Sequence, residues 1–335
     1  MKNKILFILK EREIYSESYY ASVNSGLHNS ATFVNDMLRS NGYQSNLVEV
    51  KDNNDIDKVV TKYKPDVVII EALWVVPSKF ETLRKLHPNV KWVIRLHSEI
   101  PFLANEGVAI KWLKEYTKQK NVYISANSEV FIKSMQQILN KKIIYLPNYY
   151  PITKPIKVAK AGDGDTINVG LFCAIRPMKN CLTQAMAAII YAERNGKILN
   201  LHINNARIEQ KGESVLKNVR ALFEGTEHKL IEHDWLKHED FVKLVASMNI
   251  CLQVSLTETY NIITADAVNQ MIPVVVSKEI PFVNTFNKVC ETKDAIAIAD
   301  AMELSMSFQF IFTFINKLLL RINSAKAENV WLNSI

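Results

Sequence analysis

Asn168-Val-Gly-Leu-Phe-Cys-Ala-Ile-Arg-Pro-Met-Lys-Asn180 reads as an apolar strand, a tight turn and the start of a helix that the pattern carries from Lys179 to Asn195. A strand that hands over to a helix in this way is the repeating unit of a parallel α/β sheet. The turn carries Arg176 and Lys179. A helix N-terminus presents unpaired backbone N–H groups and a partial positive charge. A guanidinium and an ammonium added there make a grip for a diphosphate that needs no glycine triplet. The same residues also suit an ordinary solvated basic turn. The choice matters because the chain has only nine glycines in 335 residues, less than half the usual level of about 7%. Few glycine-cradled phosphate loops are available to such a chain.

Working outward, short apolar runs alternate with amphipathic stretches. Ile5–Leu9, Val67–Ile70, Trp92–Leu96 and Val122–Ile124 read as buried strands, and Ser30–Ser40, Asp55–Tyr63, Pro77–Leu86 and Ser128–Leu139 as helices. The alternation restarts after residue 165 with strands at Asn168–Phe172, Asn200–Ile203, Ile250–Val254 and Pro273–Val276. Helices are expected there at Gly212–Phe223, Lys237–Ser247 and Ile263–Asn269. Proline and glycine cluster between the halves, in Leu146-Pro-Asn-Tyr-Tyr-Pro151, Lys154-Pro155 and Gly162-Asp-Gly-Asp165. The expected architecture is therefore two doubly wound α/β domains, 1–150 and 167–335, facing each other across a cleft and joined by a linker at 151–166. The last helix is free to pack back on the first domain. Open parallel sheets bind ligands at the C-terminal edges of their strands.

Hydrophobic residues make up 48% of the chain and charged residues 22%, which excludes a disordered, collagen-like or disulfide-stapled chain. The four cysteines are scattered without a C-x-x-C pair, pointing to a reducing, cytoplasmic setting. Met1-Lys-Asn-Lys followed by Ile5–Leu9 resembles a signal peptide for five residues only and reads better as a first strand. Phe308–Ile315 is too short to span a bilayer. Residues 1–150 hold 21 Lys+Arg against 15 Asp+Glu, and 151–335 hold 20 against 19. The net +7 is thus almost wholly a property of the first half.

The second informative stretch is Val254-Ser-Leu-Thr-Glu-Thr-Tyr-Asn-Ile-Ile-Thr-Ala-Asp266, continuing to Ile272-Pro-Val-Val-Val276. Glu258 and Asp266 are eight residues apart, about two helical turns, so both acids are expected to face one cleft. Carboxylates suit sugar hydroxyls; alone, the pair also fits a polar cap and a solvated face. Taken with Arg-Pro-Met-Lys-Asn180, the arrangement resembles the C-terminal domain of retaining GT-B-fold glycosyltransferases of the family 4 type, of the kind found in bacterial and phage genomes. The resemblance implies two Rossmann-like domains. It implies that Arg176 and Lys179 hold a donor diphosphate, Glu258 the donor sugar and Asp266 the ribose. The second acid is Asp where the family has Glu, so the motif departs to E-x7-D. The backbone of Thr259, Tyr260, Asn261 and Ile262 would lie against the phosphates and sugar.

By the same resemblance, Asn205 at the end of Leu201-His-Ile-Asn-Asn205, and Trp235 in His233-Asp-Trp-Leu236, would flank the nucleotide. Trp235 also suits a half-buried core indole. Leu146-Pro-Asn148 resembles the interdomain hinge, and Ser25-Gly26-Leu27 loosely matches a glycine loop. His97, just past a strand end in Arg95-Leu-His-Ser98, stands where the family places a histidine near the donor sugar. Arg176, Lys179, Glu258 and His97 are the expected catalytic set. No metal or other cofactor is expected. Asp163-Gly-Asp165 has the D-x-D form of GT-A metal sites but lies in the linker. His228, His233 and His238 recur every five residues, which is not a helical face. No Ser–His–Asp or Cys–His signature is evident, and no G-x-G-x-x-G supports a dehydrogenase.

The function implied is transfer of a sugar from a nucleotide-sugar, a UDP-sugar by preference, to an acceptor hydroxyl with retention. The basic first half favours an anionic acceptor. Tyr15, Tyr19, Tyr20, Arg12 and Lys10, then Phe102, Lys111, Trp112 and Lys114, offer aromatic and basic groups to it. Duplex DNA with hydroxylated bases, as in phage DNA modification, is preferred to a lipid-linked glycan at a membrane surface, because no amphipathic apolar anchor is evident. A catalytically inactive nucleotide-sugar-binding protein is the reading from another class.

Overall fold

Strands with both faces buried read as unbroken apolar runs, and β1 (Lys4–Lys10) is such a run. Leu6 and Ile8 join one core cluster with Val68, Ile70 and Ile94. Ile5, Phe7 and Leu9 join another with Val67, Ile69 and Val93 on the opposite face. The computed structural model describes residues 2–11, 26–158 and 164–335. Arg12, Tyr15, Tyr19, Tyr20, Ser25 and Asp163, singled out in the sequence, lie outside the described residues.

The first sheet adds β2 (Gln44–Val50), β3 (Val67–Glu71), β4 (Lys91–Leu96), β5 (Val122–Ala126) and β6 (Ile144–Tyr145), in the order β2-β1-β3-β4-β5-β6. Its helices are α1 (Gly26–Ser40), α2 (Asp55–Tyr63), α3 (Lys79–Leu86), α4 (Ile100–Leu103), α5 (Ala109–Tyr116) and α6 (Glu129–Leu139). The second sheet contains β7 (Thr166–Leu171), β8 (Ile198–Asn204), β9 (Lys229–His233), β10 (Ile250–Gln253), β11 (Val274–Ser277) and β12 (Lys288–Val289). Its order is β12-β11-β10-β7-β8-β9. Every pairing in both sheets is parallel. Around it lie α7 (Cys181–Arg194), α8 (Gly212–Ala221), α9 (His238–Ala246), α10 (Ile262–Asn269), α11 (Ala295–Ser307) and α12 (Gln309–Ser334). In the second sheet the strand order reverses between β7 and β10, and in the first between β1 and β3; such switch points open crevices at the strand ends.

Residues 2–11, 26–151 and 324–335 form one compact unit, and 152–158 with 164–323 the other. Relative to boundaries of 1–150 and 167–335, residues 152–158 lie with the second unit and 324–335 with the first. Trp331 near the end of α12 is fully buried in the first unit. Its ring centroid is 6.0 Å from that of Phe7, and its Nε1 donates to the Pro147 carbonyl at 2.7 Å. Among the described residues no single helix is long and apolar enough to cross a membrane.

Candidate functional site

In the second unit the loops leaving β7 and β10 meet at the switch point. Gln253 Nε2 donates to the Phe172 carbonyl (2.8 Å), Asn180 Nδ2 to the Val254 carbonyl (3.1 Å), and the Leu256 amide to the Met178 carbonyl (3.0 Å). Gln184 closes the joint, accepting from the Val254 amide at 2.7 Å and donating to the Lys179 carbonyl at 2.8 Å. The basic turn is a short 3-10 turn, Pro177–Lys179, followed by left-handed Asn180 (φ 56°). Helix α7 therefore starts at Cys181 rather than at Lys179, because Asn180 turns the chain first.

Glu258 is the centre of this joint. Its Oε1 is ion-paired with Lys179 Nζ and accepts from Ser255 Oγ and Asn261 Nδ2, each at 3.1 Å. Asn261 adopts φ 66° and caps α10 by accepting from the Thr264 amide at 2.8 Å. Its Nδ2 also reaches Gln253 Oε1 at 2.8 Å. Tyr260 is buried with its ring 4.8 Å from that of Phe282, while Thr259 and Ile262 are half-buried. Lys179, Glu258 and Asn261 are thus brought into one cluster, and the loop 259–262 runs along it.

Arg176 joins a second cluster. Its Nη1 donates to Glu209 Oε2 at 2.9 Å, and Arg207 Nε donates to Glu209 Oε1 at 2.7 Å. The Arg207 guanidinium lies 5.4 Å from the centre of the Trp235 ring, a cation–π distance. Two guanidiniums on one carboxylate leave a net positive charge beside an indole, the pairing that suits a phosphate next to an aromatic base. The Glu209 amide donates to the Ile175 carbonyl at 2.9 Å. Gly212 packs so closely there that a Cβ would lie 2.0 Å from that same oxygen.

Asp266 and Asn205 have partners of their own. Glu258 precedes α10 and left-handed Asn261 intervenes before Asp266, so the eight residues between the two acids are not one continuous helix. Asp266 is 1% exposed, with Oδ1 2.9 Å from His238 Nε2. Burial alone would lower the His238 pKa, but the hydrogen bond and charge of Asp266 outweigh it and hold it above 6.5. Asn205 donates to Glu232 Oε2 at 2.7 Å, and Arg220 clamps the same carboxylate. His228 faces Glu193 and His238 faces Asp266, whereas His233 stacks on His202 with ring centroids 5.1 Å apart. Burial, then the neighbouring His233, pushes His202 down to about 4.

In the first unit His97 stands just past β4, and its Nε2 is 2.5 Å from Glu71 Oε2 at the end of β3. Glu71 and Arg95 are register partners on adjacent strands and both fully buried, with Arg95 Nη1 3.1 Å from Glu71 Oε1. Arg95 also holds the segment read as a hinge: its Nε donates to the Leu146 carbonyl (3.2 Å) and its Nη2 to the Pro147 carbonyl (3.0 Å) and Asn148 Oδ1 (2.8 Å). Burial would raise Glu71, yet Arg95 and then His97 outweigh it and leave its pKa lowered. An ionised Glu71 accepts, so the proton of a neutral His97 sits on Nε2. Burial, then Arg95, lowers the His97 pKa against the pull of Glu71. Sequence reasoning missed Glu71, Arg95, Arg207, Glu209 and His238. The one available signal was the acid ending an otherwise apolar run, Val67–Glu71. Lys111 and Lys114 on α5 are exposed, but Trp112 packs partly against the core.

Two all-parallel six-stranded sheets, each with a reversal of strand order, have the GT-B fold, two Rossmann-like domains in one chain. Solved structures of that class superpose on nearly the whole chain. Sucrose-phosphate synthase (tll1590) from Thermosynechococcus elongatus is similar at a TM-score of 0.70 and 12% identity, over 98% of this chain and 97% of that one. An α-glucosyltransferase in complex with UDP-glucose and DNA containing an abasic site is similar at a TM-score of 0.61 and 12% identity, over 98% and 95%. A mutant of S. aureus TarM in complex with fondaparinux, α-GlcNAc-glycerol and UDP gives 0.61 and 13% over 80% of this chain, which spans 54%, about half, of that protein's length. No family model and no curated protein sequence matches the chain.

Proposed function

We propose that the chain is a glycosyltransferase that moves a sugar from a UDP-sugar to an acceptor hydroxyl with retention of configuration. The observation that carries this reading is the cluster at the β7/β10 switch point, where Lys179 and Asn261 share one Glu258 carboxylate oxygen and Arg176 stands on the same loop as Lys179. A diphosphate competes with Glu258 for Lys179, and the exchange releases that carboxylate to accept from sugar hydroxyls. Arg176 and Lys179 neutralise charge building on the leaving diphosphate, the largest electrostatic contribution available. The backbone of Thr259–Ile262 lies along the phosphates, Asp266 with His238 serves the ribose, and Trp235 and Asn205 flank the base. His97, its ring fixed by Glu71, serves the sugar. No protein nucleophile is required when the departing phosphate itself takes the acceptor's proton.

The two cations supply what a divalent metal supplies in D-x-D enzymes, so turnover is expected to survive EDTA. We place the enzyme in a reducing cytoplasm, where Cys173 and Cys181, with sulfurs 3.0 Å apart, stay as thiols. The acceptor is anionic, matching the +6 of residues 1–150. Hydroxylated bases in phage DNA and a lipid-linked glycan both satisfy that charge. The sequence-level ground for preferring DNA, the lack of an apolar anchor, does not hold, since α12 exposes Phe310 and Phe314 at 85% and 65%. The decisive experiment is Arg176→Ala assayed for sugar transfer from UDP-sugars. Turnover is expected to fall about 10²–10³-fold with the melting temperature nearly unchanged. Near-normal transfer removes the proposal, and UDP-sugar binding with no transfer by the unmodified chain favours a binding protein.

A further inference from the structure

The first half of α12 is apolar on its outward face, and its inward face mixes polar and apolar residues. Its inward positions are Phe312, Thr313, Asn316 and Leu320, at 8%, 5%, 1% and 0% exposure. Asn316 accepts from the Asn284 amide at 2.9 Å and donates to Asn287 Oδ1 at 3.1 Å, so its burial is built in by hydrogen bonds. The outward positions at helical spacing are Phe310, Ile311, Phe314, Ile315, Leu318 and Ile322, from 85% down to 36% exposed. They run for about 18 Å along the helix. Phe308 and Phe286 extend the patch, each with its ring within 6 Å of that of Phe312. The largest apolar patch on a soluble monomer is typically about 300–600 Å² and often functional, and contiguous exposed stripes of this kind mark interaction surfaces.

The charges beside the patch are of one sign. Between Gln309 and Ala327 the helix carries Lys317, Arg321 and Lys326 and no acid. Arg321 and Lys326 are exposed on the apolar face's own continuation. Lys317 Nζ instead donates to the carbonyls of Thr153 and Asn269, at 3.0 and 2.8 Å, which ties the segment 152–158 alongside. That segment adds exposed Lys154 and Lys157. The acids of α11 face the other way: Asp300 and Glu303 bond Arg194 and Asn195 of the α7 end, each at 2.7 Å.

We infer that the exposed face of α12, from Phe310 to Ile322 with Arg321, Lys326, Lys154 and Lys157 beside it, docks on the surface of an anionic lipid bilayer. An apolar, phenylalanine-rich stripe with cations at its margin satisfies both layers of such a surface, acyl chains and phosphate headgroups. A second copy of the chain offers the apolar stripe but no exposed acid on this helix face to meet the cations. The helix lies along the bilayer and does not cross it. α11 is held in the core by Ile298, Ala299 and Met302, and the far end of α12 is anchored by Trp331. The docking does not depend on the proposed transfer reaction; it would bring the enzyme to an acceptor carried by the membrane.

The test uses the full chain in co-sedimentation with phosphatidylcholine vesicles, with and without about a third phosphatidylglycerol. The chain is expected to partition at least tenfold more strongly onto the anionic vesicles, and raised salt to reduce that preference. Phe310→Gln with Phe314→Gln, a pair of exposed positions, should reduce binding more than tenfold with an unchanged melting temperature, and Arg321→Glu with Lys326→Glu should remove the preference for anionic lipid. Three results overturn the inference: no vesicle binding, binding untouched by the phenylalanine pair, or equal binding to neutral vesicles. Dimerisation abolished by the same phenylalanine pair, without vesicle binding, assigns the face to a second copy.

Discussion

Glu71 carries two jobs through one carboxylate, since it neutralises the fully buried Arg95 and orients His97. Removing one partner of a buried pair strands the other charge, so Glu71→Gln should cost about 3–5 kcal/mol in denaturant unfolding. Its pH signature is equally specific. A carboxyl whose folded pKa is depressed contributes stability that is present above its ordinary value of 4.5 and is lost as pH falls through the folded value. His202 acts on the same side. Its folded value of about 4 against an ordinary 6.5 means that the unfolded chain binds the extra proton first. Stability should therefore drop by roughly 3 kcal/mol as pH falls from 6.5 to 4, and His202→Gln should flatten that slope. His97 was legible as a histidine at a strand end. Glu71 and Arg95 were not, because their pairing arises only when β3 and β4 take the register that sets them side by side.

Elements with both faces buried were legible, and half-buried ones were not. β1, β3, β4 and β7 announce themselves as apolar runs. β2 and β9 are edge strands, and their Gln44-Ser-Asn-Leu-Val-Glu-Val50 and Lys229-Leu-Ile-Glu-His233 mix polar residues into the run. The turn after β7 was legible in its residues and not in its geometry, because left-handed Asn180 redirects the chain where the helix was expected to have begun, whereas the loop before α10 ends, as expected, close to Ile263. The turn's shape also depends on a distant helix. Gly212 at the start of α8 leaves room for the Ile175 carbonyl, which receives the Glu209 amide one residue before Arg176. Gly212→Ala must displace backbone, so a loss of about 1–3 kcal/mol is expected. Because Arg176 and Glu209 move with it, UDP affinity measured by calorimetry should weaken as well.

At the scale of the molecule, the uneven charge and the uneven ownership of α12 stand out. Residues 1–150 carry +6 and the remainder +1; binding to anionic acceptors should therefore weaken steeply with salt, whereas binding of a UDP-sugar at the second unit should respond far less. The division into two α/β units was legible because the strand–helix alternation stops and restarts. The return of the last helix to the first unit was open in the sequence and occurs through residues 324–335; its anchor was not legible, since Trp331 looks from sequence like any tryptophan on a mixed helix. Trp331→Ala is expected to destabilise the first unit by about 3–5 kcal/mol, read by hydrogen exchange on β1 and β4. During translation the ribosome emits the first unit's strands early, yet Trp331 follows Pro151 by roughly ten to forty seconds. Until then Phe7 lacks its aromatic neighbour and the Pro147 carbonyl its indole donor. The half made first is finished last, and a gene fragment cut at the linker would encode an incomplete nascent domain.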